Sequence, residues 1–160
     1  MVGAEPGSEL ARLLDIRVPD LIAYPDERYA GEYAEFVERV RRHEPASTAV
    51  TEAVARNLYK LMAYKDEYEV GTRLDLFGYA EVRRVERELI QEYRETIVEA
   101  LAAARPAADL DAVVELAELP DLVRGYEQIK LDNVDAYHRR RSELLEKLRP
   151  APAQEAPMCR

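Results

Sequence analysis

Apolar residues recur at three- and four-residue spacing along most of the chain, the pattern of helices packed along one stripe. Ser8 is placed to cap a short helix, Glu9 to Ile16, whose Leu10, Leu13 and Leu14 form a small apolar patch. Pro19 and Pro25 punctuate the next stretch, and Pro19 is expected to begin another short turn carrying Leu21 and Ile22. From about Asp26 to His43, Tyr29, Tyr33, Phe36, Val37 and Val40 fall at helical spacing, and Pro45 ends the run. Ser47 or Thr48 then caps a central helix, about Thr48 to Glu69. Gly71 and Gly78 bracket a stretch that reads as a connector. Beyond it lies a long helix, about Tyr79 to Ala104, with Val82, Val85, Leu89, Tyr93, Ile97, Ala100 and Ala104 on one face. Arg105-Pro106 breaks it. A shorter helix, about Ala108 to Leu119, runs to Pro120, and a last one covers about Asp121 to Arg149. The last helix carries Leu122, Tyr126, Ile129, Tyr137, Leu144 and Leu148 as its stripe. No alternation of period two persists, so the expected fold is all-α, a helical bundle of about four to six helices, two of them long. Residues 1–7 read as a flexible leader, 8–149 as a single helical domain, and the Pro- and Ala-rich 150–160 as a disordered tail.

Several polar residues interrupt this pattern on faces that should pack. On the central helix Val50, Val54, Leu58, Leu61 and Met62 share a side, and Lys65 falls in line with them, with Asn57 and Tyr64 along the edges. A withdrawn ammonium is costly unless a carboxylate answers it, so Lys65 is expected to bury its stem and pair with an acid on a neighbouring helix. Lys60 continues the outer row of Arg56 and is expected in solvent or at a partner surface. Asn133 and Arg140 lie in the stripe of the last helix, and Arg124 precedes Gly125, a second polar anchor beside a residue that permits close backbone approach. Asp66, Tyr68, Tyr126 and Lys130 complete the candidate set for an interface or a polar anchor.

Charge and composition narrow the chemistry. In 160 residues, 23 basic and 32 acidic side chains give a net charge of −9, which argues against a nucleic-acid footprint and against anionic membrane surfaces. Cys159 alone excludes an internal disulfide and suits the reducing cytoplasm, and no apolar run is long enough to span a bilayer. A carboxylate-bridged di-iron bundle would need paired Glu-x-x-His motifs, and the chain offers only Asp135-x-x-His138. One thiol cannot ligate an iron–sulfur cluster, and the scattered glycines assemble no phosphate loop. No thiamine-diphosphate metal signature is present, and no Ser–His–Asp set is suggested. No catalytic or metal-ligating residue is therefore assigned. His138-Arg139-Arg140-Arg141 reads as the basic bias of a helix C-terminal half. Ten tyrosines without a tryptophan fit core-edge or interface positions, where the ring is buried and the hydroxyl stays wet.

The run Val-Ala-Arg-Asn-Leu-Tyr-Lys-Leu-Met-Ala-Tyr-Lys-Asp-Glu-Tyr-Glu-Val over 54–70 carries a specific resemblance. It is similar to a motif in the C-terminal helical region of the fused, single-chain indolepyruvate ferredoxin oxidoreductases of aerobic bacteria. Supporting similarity extends from about Leu13 to Leu148, through Arg17 to Tyr24, Leu74 to Tyr79, Val85 to Tyr93, and Arg124-Gly-Tyr-Glu-Gln-Ile-Lys130. Two features depart from that pattern. The family carries a long insert between the equivalents of Val70 and Leu74, where this chain has only Gly71-Thr-Arg73, and Glu127-Gln128 replaces the family's Gly-His.

The resemblance implies a separate, non-catalytic subunit of a 2-oxoacid:ferredoxin oxidoreductase-like complex. It would dock on catalytic chains that hold thiamine diphosphate, magnesium and [4Fe-4S] clusters, with no cofactor of its own. The alternative from the residues themselves is a free-standing helical protein that binds a small aromatic or acidic ligand in a cavity lined by Tyr64, Lys65, Tyr126 and Arg140.

Overall fold

The computed structural model describes residues 3–23, 27–44, 46–63, 76–105, 108–122 and 127–149, with the side chains at 76–83, 85–86 and 127–132 outside that description. Among these residues the elements are α1 (Glu9–Ala23), α2 (Glu27–His43), α3 (Ala49–Ala63), α4 (Leu76–Ala103), α5 (Leu110–Glu118), a 3-10 turn (Leu119–Leu122) and α6 (Glu127–Leu148). The fold is an all-α bundle.

The expected boundaries change where proline and glycine behave differently from their isolated propensities. The first helix does not stop at Ile16 with a new turn at Pro19; α1 continues through Pro19 to Ala23. Proline removes the bond its amide would give the Asp15 carbonyl, but Asp15 and Pro19 both face water, which can take that carbonyl. The long helix α4 begins at Leu76 rather than at about Tyr79, so Gly78 is inside its first turn instead of closing a connector. First-turn amides lack intrahelical acceptors in any case, so a poor helix former matters least there. α4 spans 28 residues, about 42 Å at 1.5 Å per residue. At Pro120 the chain tightens into the 3-10 turn, so Asp121 and Leu122 belong to that turn and α6 starts at Glu127 rather than Asp121. Leu122, expected in the buried stripe of the last helix, is 47% exposed. The part of the central helix expected beyond Ala63 lies outside the described residues.

Packing obeys the stripes. α1, α2 and α3 pack on one another, α5 lies against α3, α4 reaches α2 and α3, and α6 closes over α4, α5 and the 3-10 turn. Leu10, Tyr33, Val37, Val54, Leu58, Met62, Tyr93, Ile97, Leu116, Tyr137 and Leu144 are fully buried. Each large apolar side chain so withdrawn contributes roughly 1.5–3 kcal/mol relative to exposure. Two of the tyrosines are tied at both ends: Tyr33 donates from α2 to the Ala55 carbonyl of α3, and Tyr93 from α4 to the Ala117 carbonyl of α5, each at 2.8 Å. Each hydroxyl thereby finds its acceptor on the neighbouring helix and fixes the register of the pair. Burial raises the pKa of both hydroxyls, and pushes that of Tyr137 up to about 12 with the Glu92 carboxylate adding to the effect.

Helix starts are closed by side chains. Gly7, at φ +82°, turns the chain into α1, and the Ser8 hydroxyl accepts the Ala11 amide at 3.2 Å. At α3 the Ser47 hydroxyl accepts only the Ala49 amide, at 3.1 Å. The deeper amides are taken by Glu44, whose carboxylate accepts Val50 N–H at 3.1 Å, Thr51 N–H at 2.9 Å and the Thr51 hydroxyl at 2.8 Å. This carboxylate is buried, and the positive end of the helix dipole stabilises its charge.

Candidate polar anchors at one end of the bundle

α1 and α3 finish on the same side of the bundle, and there the polar residues of α3 meet two other elements. Asn57 is buried; its amide donates to the Ala53 carbonyl one turn back at 3.0 Å, and its Oδ1 accepts from Lys60 Nζ at 3.2 Å. Lys60 also pairs with Asp121 in the 3-10 turn. Lys60 stays at the surface, half-exposed, and its ammonium in addition joins α3 to a residue 61 positions away. The cause is the 3-10 turn itself, which brings Asp121 back beside α3 in place of starting the last helix. One residue earlier, Tyr59 donates to Asp20 of α1 at 2.5 Å, and the Arg17 guanidinium lies over its ring, 4.4 Å from the centroid. Burial, with the neighbouring Asp20 carboxylate, raises the Tyr59 pKa. Around this seam Ile16, Ile22 and Leu122 are exposed at 56%, 45% and 47%.

Arg140 and its neighbours brace the other side. Arg140 pairs with Glu115 of α5 and, at 2.8 Å, with Glu143 one turn along α6. It is half-buried, and both carboxylates hold its pKa above the usual arginine value. The basic run is more than a charge bias at a helix end. Arg141 donates to the Thr96 hydroxyl at 2.5 Å and pairs with Glu92 at 3.1 Å, while His138 Nε2 lies 3.3 Å from the same carboxylate. Thr96, fully buried, donates its own proton to the Glu92 carbonyl at 2.7 Å. Asn133 is half-buried and engaged.

Of the candidate set, Asn57, Lys60, Asn133 and Arg140 are thus described, and Asn57 and Lys60 come together while Arg140 stands apart with α5. Tyr64, Lys65, Asp66, Tyr68, Arg124 and Tyr126, and the side chain of Lys130, lie outside the described residues. The buried pairing expected of Lys65 lies there too.

Three functional-looking groups went unmarked in the sequence. Glu44 sits before a proline, and its cap acts across six and seven residues, beyond the usual capping spacing. Glu92 attracts no notice until α6 brings His138 and Arg141 to it. Arg94 does leave a trace: Ile90 and Val98, four residues either side, pack against the core, which places a guanidinium in an apolar row. Among the described residues no group of three or more His, Cys, Asp or Glu could hold a metal ion. No described helix is long and apolar enough to cross a membrane.

A family model described as a family of unknown function (DUF6537) matches residues 10–72 and 71–143. No curated protein and no solved structure matches the chain.

Proposed function

The chain belongs to that family of unknown function, and from this premise we propose that it is a non-catalytic helical subunit of an indolepyruvate or 2-oxoacid:ferredoxin oxidoreductase-like complex. It docks on the chains that carry thiamine diphosphate and iron–sulfur clusters and braces them. The observation that carries this reading is where the polar side chains go. Lys60, Arg140 and Arg141 each join one element to another, and Asn57 holds Lys60 from within α3, so these side chains act as struts. A strut needs its partner fixed, whereas a nucleophile or base needs a free lone pair facing substrate. Two further features support the reading. The family match divides at residues 71–72, the place where the resemblance to the fused oxidoreductases sets a long insert that this chain lacks. Ile16, Ile22 and Leu122 supply exposed apolar surface of the kind an interface covers.

Cytoplasmic residence goes with that assignment. The ligand-binding alternative draws no support from Arg140, whose guanidinium is already engaged by Glu115 and Glu143.

The test is co-purification. The tagged chain, expressed with its untagged neighbouring oxidoreductase chains, is expected to bring them down in fixed stoichiometry. A tagged chain that elutes alone from such cells contradicts the reading.

A further inference from the structure

Arg94 is a partly withdrawn cation that is held only loosely by its neighbours among the described residues. Its side chain is 19% exposed, at the meeting of α2, α4 and the last turn of α3. The guanidinium carries five N–H donors, yet among the described residues no oxygen lies within hydrogen-bonding distance of it. Nε is buried without a partner, Nη2 has only the Met62 thioether at 3.6 Å, and Nη1 is 3.8 Å from Glu32. The Phe36 ring, 5.8 Å from the guanidinium carbon, offers a weak face. Glu32 spans the two cations: Oε1 goes to Arg28 at 2.9 Å, and Oε2 faces Arg94 Nη1 at 3.8 Å, too far for a hydrogen bond. Two guanidiniums therefore share one carboxylate, and the Arg94 fork lies beside Phe36 and Met62. The carbonyl end of α3 offsets part of its charge, but the Met62 carbonyl already accepts from Tyr29. The buried Nε–H left this way is unfavourable until something supplies an acceptor.

We propose that Arg94 is a binding site that donates to a carboxylate supplied from outside this chain, either a small organic acid or an acidic side chain of a partner. A carboxylate matches the fork of the guanidinium and offers two oxygens to donors that now have none. Met62, unbranched and flexible, is the side chain that yields to admit it.

The experiment uses the full chain, its R94M variant, and the Arg94 Nε–H resonance, identified by its absence from R94M. Sodium acetate is compared with sodium chloride at equal ionic strength. Acetate is expected to raise the Tm of the wild-type chain by about 2–4 °C over chloride, with no such difference for R94M. It is also expected to move the Nε–H resonance saturably. Phenylacetate giving a larger shift than acetate assigns the site to a small aryl acid; N-acetylglutamate amide giving the larger shift assigns it to a partner's acidic side chain. Equal shifts in wild type and R94M, or a resonance that acetate leaves in place, would overturn the proposal. A fall of several degrees in the Tm of R94M in chloride would also overturn it, because Arg94 would then already have its acceptor within the chain.

Discussion

Two of the charged side chains drawn toward the interior of this bundle are treated in opposite ways. Glu44, 6% exposed at the corner between α2 and α3, receives two backbone amides and a hydroxyl. Arg94, 19% exposed between α2, α3 and α4, receives a thioether and the more distant oxygen of a carboxylate shared with Arg28. Burial alone thus does not classify a charge. A satisfied one builds the fold, and an unsatisfied one marks a place where the fold has been left incomplete. The contrast can be broken by substitution, because removing each group should have a different sign as well as a different size.

The largest effect is expected from E44A. It leaves two α3 amides unpaired in a buried corner, which should cost about 2–3 kcal/mol and lower the Tm by roughly 5–10 °C. A thermal melt by circular dichroism checks this, and a loss below roughly 0.5 kcal/mol would mean that water replaces the cap. Next come Y33F and Y93F, each losing one buried hydrogen bond to a carbonyl, at about 1 kcal/mol apiece. A pH series tests the same hydroxyls together. Their folded pKa values are raised, so the folded state holds these protons more tightly than the unfolded chain does. Their contribution is fully present below pH of about 10. It is lost as the pH climbs through about 12, the Tyr137 value, so denaturant midpoints should fall across that window. K60A should cost no more than about 0.5 kcal/mol, because both partners of the Lys60–Asp121 pair are well exposed to screening. R94M comes last. Its stability should lie within about 1 kcal/mol of wild type, or above it, since the substitution removes a partly withdrawn charge with only a distant carboxylate beside it.

What the sequence made legible was the apolar periodicity. The stripes through Tyr33, Val37 and Val40, through Val54, Leu58 and Met62, and through Leu89, Tyr93, Ile97 and Ala100 are all buried. Ser8 was also readable as a cap, because its acceptor acts within three residues. Elements governed by distant or solvent-side events were not. Pro19 stays inside α1 because its free carbonyl partner faces water, a fact about the far side of the helix that composition does not carry. Lys60 was read from its row on one helix, but its partner arrives through a 3-10 turn 61 residues later. Glu44 and Arg94 show the same limitation from opposite sides: the groups that meet each of them, closely for Glu44 and loosely for Arg94, come from the fold.

The bracing role can be tested on the partners themselves. The unfolding of the isolated catalytic chains is monitored by scanning calorimetry with and without an equimolar amount of this 18.3 kDa chain. A single transition shifted upward by several degrees, in which this chain and the catalytic chains melt together, is the predicted result. Two independent transitions, each at the temperature of the separate components, would contradict the account.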